Sequence, residues 1–331
     1  MASSSEVAKH AGVSQTTVSR VLNNPSKVKA ETVEKVMAAV AELNYKPGNQ
    51  GRPAIQKKSG KIALIAGPAD DPFFAETTQS IITYANQHDF KVDVHHVTAW
   101  NFEETVSDSI KNNVDGLIVS ASFVNTDALN KLNRSGIPCI RFNRNPQSSN
   151  QFVEMDNLEA GFLAAMYLLN GKHKQIAWVG GPMNEAVNKE RFTGYVHAFQ
   201  QMNKKIKNKK IFISEMDEAA LAQIFFEMEN AKKKPTAIVA ATDAIALQLM
   251  DLYLEAGYSI PEDISIIGID NVKLSGHHAI GLTSVGNESN DSLGQLAIEK
   301  LIFSIQNPNE LKTQITKAVK VYERNTVKSL Q

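Results

Sequence analysis

Residues 5–23 of the chain read SEVAKHAGVSQTTVSRVLN, and this stretch determines the architecture of the N-terminal region. Its spacing predicts one short helix over Ser5–His10 and a second over Gln15–Leu22, because Gly12 interrupts the pattern between them. Ser14 stands just before the second helix, where its hydroxyl can accept a hydrogen bond from a free backbone N–H. Two short helices joined by a tight turn are typical of a helix-turn-helix, whose second helix enters the major groove of DNA.

A third helix is predicted from about Ala30 to Asn44. Its apolar residues recur at the 3-4 spacing of one buried face, namely Val33, Val36, Met37, Val40 and Leu43. On the first two helices the residues expected to point inward are Val7, Ala8, Val18 and Val21. The sequence therefore predicts an all-α head with a small core of its own.

The second helix then leaves Gln15, Thr16, Ser19 and Arg20 facing outward. Arginine pairs bidentately with guanine and glutamine with adenine, whereas threonine offers a hydroxyl and a methyl group. A solvated helix face would show the same spacing, so the pattern alone leaves both interpretations open. The charge distribution favours DNA, because residues 1–61 hold ten basic and four acidic residues, a net charge of +6. The rest of the chain holds 25 basic and 31 acidic residues, so the total is zero.

Length and composition limit the class of protein. A chain of 331 residues with 43% apolar content can bury more than one core. No apolar run approaches the roughly 20 residues that span a bilayer, and the first five residues, which include three serines, lack the apolar stretch of a secretory signal. Cys139 is the single cysteine and lies in an apolar run, so we expect a buried thiol in a reducing compartment. We therefore expect a soluble, cytoplasmic protein without a membrane partner.

From Lys61 onward, apolar strands alternate with amphipathic helices. The predicted strands are Ile62–Ala66, Asp115–Ser120, Pro138–Phe142, Ile176–Gly180, Ala237–Ala241 and Ile264–Ile269. Strands that are apolar throughout and separated by helices indicate parallel sheets covered on both faces. About 270 residues of this pattern predict two doubly wound α/β lobes.

Ligands of such sheets bind at the carboxyl ends of the strands. The residues found there are Asp70–Phe74, Asn143-Arg144, Gly181-Pro182 with Arg191 beyond, Thr242-Asp243, Asp270-Asn271 and Thr283–Asn287. Aromatic rings beside Arg, Asp, Asn and Thr side chains suit a polar, ring-shaped molecule. Structural roles are the alternative, since Phe73 or Phe74 could be core residues and Asp243 could cap the following helix.

The run Val7–Asn23, continued by Ala41–Pro47, closely resembles the head signature of the lactose/galactose repressor (LacI/GalR) family of bacterial regulators. The segments Asp71–Glu76, Ala241–Asp243 and Gly268–Asn271 are similar to the effector domain of the same family. The resemblance implies a two-lobed, periplasmic-binding-protein-like fold, a homodimer, a pseudo-palindromic operator and a small-molecule effector, with a sugar or related polyol expected first.

The resemblance also assigns residues. It implies that Gln15, Thr16 and Arg20 read bases, and that the phosphates are contacted by Ser14, Thr17, Ser19 and Asn23. The implied effector contacts are Phe73, Phe74, Asn143, Arg191, Thr242, Asp270 and Asn287. Asn143 stands where sugar-responsive members usually have Asp, and Thr242 stands where many members have Asn. Ile269 replaces an aromatic residue beside Asp270. The identity of the ligand therefore stays open.

The expected domains are a helix-turn-helix head over 1–46, a hinge over 47–60 and an effector-binding and dimerisation domain over 61–331. Within the last, we expect an N lobe of about 61–155 plus 287–316 and a C lobe of about 156–286 plus 317–331. The family's hinge forms a helix on DNA and wedges a leucine into the minor groove. Here Ala54 falls at the wedge position, and Gly48, Gly51 and Pro53 disfavour a helix. The alternative is an extended segment from which Arg52 reaches the minor groove.

The sequence lacks the motifs of several other functional classes. Gly171-Lys172-His173 lacks the remaining residues of a phosphate loop, and no Gly-x-Ser-x-Gly occurs, so we expect no enzyme and no cofactor. The adjacent pairs His95-His96 and His277-His278 make poor metal sites, so no metal is expected. Two alternatives within the family stay open, a purine-responsive repressor and a catabolite-control-type regulator that binds a phosphorylated carrier protein. Glu299 falls where the latter type has a basic residue, which would repel the phosphate.

Overall fold

A computed structural model describes residues 3–23, 25, 28–43, 45, 59–97, 100–120, 126–142, 151–206, 210–215, 217–289, 291–308, 310 and 313–331. The chain divides into two compact units, residues 1–58 and residues 59–331. Each unit has its own apolar core.

The first unit contains the helices α1 (Ser4–His10), α2 (Gln15–Asn23) and α3 (Ala30–Glu42). Ser3 and Glu6 form a capping box at the start of α1, and Ser14 Oγ accepts a hydrogen bond from Thr17 N at the start of α2. The buried apolar residues are Val7, Ala8, Val18, Val21, Val36 and Ala39. The predicted inward position of Met37 is wrong, because this side chain is 49% exposed. Ala39 follows Val36 by three positions and shares its face, whereas Met37 is rotated by about 100° from it.

In the second unit, the described strands are β1 (Lys61–Ala66), β2 (Lys91–His96), β3 (Gly116–Val119), β4 (Cys139–Phe142), β5 (Phe152–Met155), β6 (Ile176–Gly180), β7 (Ile211–Ile213), β8 (Ala237–Ala240), β9 (Ser265–Ile269), β10 (Thr283–Asn287), β11 (Gln314–Lys317) and β12 (Val319–Tyr322). They form a first sheet of order β11-β5-β4-β3-β1-β2 and a second of order β12-β10-β9-β8-β6-β7. The described pairings are parallel except that of β10 with β12.

The described α-helices of this unit are α4 (Pro72–Gln87), α5 (Phe102–Lys111), α6 (Thr126–Ser135), α7 (Asn157–Asn170), α8 (Ala186–Gln201), α9 (Glu218–Glu229), α10 (Asp243–Glu255) and α11 (Leu293–Gln306). Strand β1 shows why the strands are apolar throughout. Ile62 and Leu64 belong to the core cluster that includes residues of α4 and α11, whereas Ala63 and Ile65 belong to the cluster with residues of α5 and α6. Helices thus cover both faces of the sheet, and the predicted fold class is confirmed.

The chain passes between the sheets after β5, β10 and β11. These crossings lie side by side, because Asp156 N donates to Lys317 O (2.9 Å) and Glu288 N donates to Ala318 O (2.8 Å). Strands that the sequence did not predict include β2, β7, β11 and β12, each at the edge of a sheet. In the described part of the chain no helix is both long and apolar enough to span a bilayer.

Candidate functional site

A cavity of about 300 Å³ lies between the two sheets of the second unit. Its lining includes five of the sequence-predicted effector residues, namely Phe73, Phe74, Arg191, Thr242 and Asp270. They meet because α4 follows β1 in the first sheet, whereas Thr242 and Asp270 follow β8 and β9 in the second. The carboxyl ends of parallel strands thus face each other across the cavity.

Arg191 of α8 is buried at the base of this cavity, with a side chain 1% exposed. Its Nη2 donates to Asp270 Oδ1 (2.6 Å), its Nη1 to Ala241 O (2.6 Å) and its Nε to Asn157 Oδ1 (3.0 Å). This guanidinium joins α7, α8 and the ends of β8 and β9. Asp270 has a φ of 124°, a backbone region that L-residues rarely adopt, and such strain concentrates at functional sites.

The aromatic wall comes from the first turn of α4. The Phe73 and Phe74 rings are nearly perpendicular with centroids 5.6 Å apart, and Phe73 stacks on Phe142 of β4 at 5.8 Å. A Cβ at Gly67 would lie 2.6 Å from the Phe74 ring, so a larger residue where β1 leaves the sheet would displace this ring. Both phenylalanines are 8% exposed, so each serves the core and the cavity together.

Asp71 caps α4, since its Oδ1 accepts a hydrogen bond from Phe73 N (2.9 Å). Burial, followed by the negative charge of Asp270, raises the pKa of the Asp71 carboxyl to about 7. Asp71 belongs to the first sheet's lobe and Asp270 to the second, so two acidic groups approach each other across the cavity.

The next pair of candidate residues follows β8. Thr242 caps α10, because its hydroxyl accepts from Ile245 N (3.2 Å). Asp243 is fully buried and accepts from Val272 N, Ser275 Oγ and Ser284 Oγ, so its role is to tie the ends of β9 and β10 to α10. Burial, with the negative charge of Asp270, raises its pKa to about 6.

Asn287 lies apart from the five residues above. It lines a second cavity of about 330 Å³, which shares Phe73 and Asp270 with the first and adjoins the crossings between the sheets. Its Nδ2 donates to Ser289 Oγ (3.1 Å) and Asp291 O (3.0 Å). The predicted contact Asn143 is outside the described residues.

Charge distinguishes the first cavity. Its described lining places the carboxyls of Asp70, Asp71, Glu185, Glu215 and Asp270 against the single positive charge of Arg191, which is bonded to Asp270. The sequence analysis assigned no effector contact to Asn157, Asn188, Glu185 or Glu215. Two of these lie at the start of helix α8, which begins at Ala186, so that Asn188 is in its first turn and Glu185 is its N-cap.

On the first unit, the predicted reading residues Gln15, Thr16, Ser19 and Arg20 are exposed on α2. Ser14 Oγ is bonded to Thr16 Oγ1 (2.7 Å) and Thr17 Oγ1 (2.8 Å), so the hydroxyls at this helix start form one cluster. Asn23 is the last residue of α2. Arg52 and Ala54 of the predicted hinge are outside the described residues.

Comparison with known proteins agrees with both units. Residues 5–48 match the model of bacterial regulatory proteins of the lacI family, and residues 165–327 match that of a periplasmic binding protein-like domain. The transcriptional repressor PurR of Glaesserella parasuis is 30% identical over 99% of this chain and 98% of its own. PurR of Vibrio atlanticus is 32% identical over the full length of both chains.

Solved structures show the same architecture. The lac repressor dimer bound to operator and the anti-inducer ONPF aligns with a TM-score of 0.70 and 25% identity over 99% of each chain. A LacI family regulator from Enterococcus faecium with bound ribose aligns with a TM-score of 0.72 and 26% identity over 82% of this chain and 100% of its own. The predicted family is thereby confirmed: the chain belongs to the lacI family of bacterial regulatory proteins and is a DNA-binding transcriptional regulator.

Proposed function

We propose that the chain is a repressor whose binding to operator DNA is controlled by an uncharged, polyhydroxylated effector, a sugar or related polyol, held in the cavity between the lobes. One observation carries this proposal, namely that the same cavity is lined by aromatic rings and by acidic side chains. The rings of Phe73 and Phe74 can cover the apolar face of a sugar, and the carboxyl oxygens of Asp71 and Asp270 can accept hydrogen bonds from its hydroxyls.

The lining also disfavours phosphorylated effectors. The negative charge of a phosphate in the cavity would be repelled by the carboxyls of Asp70, Glu185 and Glu215, which line it. The Arg191 guanidinium has donors committed to Asn157, Ala241 O and Asp270, so little positive charge is left to pair with a phosphate. The ribose-bound relative from Enterococcus faecium supports a neutral sugar.

The remaining parts follow from the family. We propose that the chain acts as a homodimer on a pseudo-palindromic operator, with α2 of each protomer in a major groove. The proposed domains are a head over 1–46, a hinge over 47–60 and an effector domain over 61–331, whose lobes each hold one of the two sheets. Gln15, Thr16 and Arg20 are the proposed base-reading residues.

A thermal-shift screen of the full chain with sugars, sugar phosphates and purines tests the effector. A ligand at 100 times its Kd adds about 2.7 kcal/mol to the stability of the folded state. We expect stabilisation by a neutral sugar or polyol and none by its phosphate ester. Asp270→Asn should abolish the response. Asp263→Asn removes a carboxyl outside the cavity lining and should leave the response unchanged. Stabilisation by sugar phosphates alone would contradict the proposal.

A purine-responsive repressor is the second candidate, favoured by the name PurR that the full-length relatives carry. Its signature in the same screen would be stabilisation by purines and not by sugars. The phosphorylated-carrier alternative is less well supported, because the acidic Glu299 on α11 stands where that type of regulator has a basic residue.

A further inference from the structure

The side-chain amide of Gln15 makes a hydrogen bond within the head. Its Nε2 donates to Ser4 Oγ over 2.8 Å, which joins the first residue of α2 to the first residue of α1. Gln15 is exposed and Ser4 is half-buried. Ser4 therefore contacts a residue proposed to read a base.

Both partners of this bond are anchored by helix caps. Ser4 follows Ser3, whose N donates to Glu6 Oε2 (2.6 Å) and whose Oγ accepts from Glu6 N (3.2 Å). Gln15 follows Ser14, whose Oγ accepts from Thr17 N (3.2 Å). Because the backbone is fixed at both ends, the Ser4–Gln15 bond restricts the rotamers of the Gln15 side chain.

The bond leaves the chemistry of base reading intact. A glutamine amide has one oxygen acceptor and two N–H donors, of which Ser4 occupies one donor. The remaining N–H and Oε1 form the donor and acceptor pair that adenine N7 and N6 require. A long side chain ordered in advance loses less conformational entropy on binding than a mobile one.

We propose that Ser4 is a positioning residue for base reading, whose hydroxyl holds the Gln15 amide in place to pair with an adenine of the operator half-site. The proposal rests on the proposed role of Gln15 in DNA reading. Ser4 acts through Gln15 and so contributes preference at one base pair, with no general contribution to DNA affinity.

The test uses the full chain and a library of duplexes with two randomised half-sites. Sequences are selected from this library by the parent chain and by the Gln15→Ala variant. The base pair at which the variant loses the parent's preference is the one that Gln15 reads. Affinity is then measured for the preferred duplex and for the three duplexes that differ only at that pair. We expect Ser4→Ala to weaken the preferred duplex by about threefold to tenfold, the value of one hydrogen bond, and to leave the other three nearly unchanged.

Three further variants isolate the mechanism. Ser4→Thr retains a hydroxyl and should retain the preference, and Ser5→Ala, an exposed neighbour on α1, should match the parent. In a Gln15→Ala background, Ser4→Ala should have no further effect. Equal weakening of all four duplexes, the same loss without Gln15, or no loss at all would each overturn the positioning role. A parent chain that selects no sequence would contradict the proposed function as well.

Discussion

Arg191 is a structural residue of the second unit as well as a proposed contact of the effector. Its side chain and that of Asp270 are 1% and 5% exposed, so either charge left alone would be buried without its partner. Arg191→Ala should therefore lower the free energy of unfolding by about 3–5 kcal/mol. Urea unfolding of the full chain measures this, and adding Asp270→Asn to the variant should recover part of the loss. A loss below about 1 kcal/mol would show that the pair is not needed for stability.

Asp71 should make stability depend on pH near neutrality. Its pKa is 3.8 in the unfolded chain and about 7 in the folded one, so the folded state binds the proton more tightly. The stabilisation is fully present below about pH 4 and is lost as the pH rises through about 7. Asp71→Asn retains the cap on α4 and cannot ionise. The variant should match the parent near pH 4 and exceed its stability above pH 7, as measured by urea unfolding across this range.

The neighbouring Asp70 gives the matched control, because it lines the same cavity but is exposed. Asp70→Asn should keep most of the parent's pH dependence, because it leaves the Asp71 carboxyl and its burial, the main cause of the raised pKa, unchanged. A difference between Asp71→Asn and the parent that stays constant from pH 4 to pH 8 would contradict the assignment of this titration to Asp71.

At the scale of elements, the crossing of α7 and α8 positions Asn157 and Arg191. A Cβ at Gly161 would lie 1.8 Å from Arg191 O, and one at Gly194 would lie 1.9 Å from Leu158 O, so the two helix backbones touch. Gly161→Ala must push them apart. We expect a loss of about 1–3 kcal/mol in unfolding free energy, together with weaker effector binding by calorimetry.

Gly171, which follows the end of α7, provides the comparison. A Cβ there would lie 3.4 Å or more from its neighbours, an ordinary contact. Gly171→Ala should change stability by less than about 0.5 kcal/mol and leave effector binding as it was. If both alanine variants behaved alike, the close approach of the helices would not be what holds Arg191 in place.

The hinge over residues 47–60 differs from the helix-forming, leucine-bearing hinge that is typical of the family. Glycine costs about 1 kcal/mol and an interior proline about 3 kcal/mol in a helix, so we expect a weaker operator bend than a leucine-bearing hinge gives. Changing Gly51→Ala, Pro53→Ser and Ala54→Leu together should tighten operator binding and increase the bend. Fluorescence transfer between the two ends of the DNA measures the bend angle. A parent that already kinks its operator sharply, with no gain in the variant, would refute this expectation.

How far the sequence predicted these elements depended on burial. Strands such as β1 and β9 are buried on both faces, and their unbroken apolar runs were recognised directly. Strand β2 reads KVDVHH and is largely exposed at a sheet edge, so its composition does not distinguish it from a loop. The positions of Phe73, Arg191 and Asp270 followed from the strand ends and the family resemblance. The bond between Ser4 and Gln15 could not be predicted, because it joins residues 11 positions apart through side-chain rotamers.

At the scale of the whole molecule, DNA binding and effector binding should be separable. The second unit, residues 59–331, has its own core and contains both cavities. A chain that begins at Ser59 should therefore bind the effector with the parent's affinity in calorimetry and should not bind operator DNA in a gel-shift assay. Operator binding by this shortened chain would contradict the assignment of DNA reading to α2.

The three crossings between the sheets have a consequence for synthesis on the ribosome. Strand β5 ends at Met155, but α11 and β11, which complete the first sheet, follow only from Leu293 onward. Leu301 and Ile305 of α11 lie against β3, so the sheet face they cover stays open until they emerge. At 5–20 residues per second, this delay is on the order of ten seconds. The strands of the first sheet are translated earliest but are covered by α11 last, so the nascent chain exposes the apolar face of this sheet in the meantime.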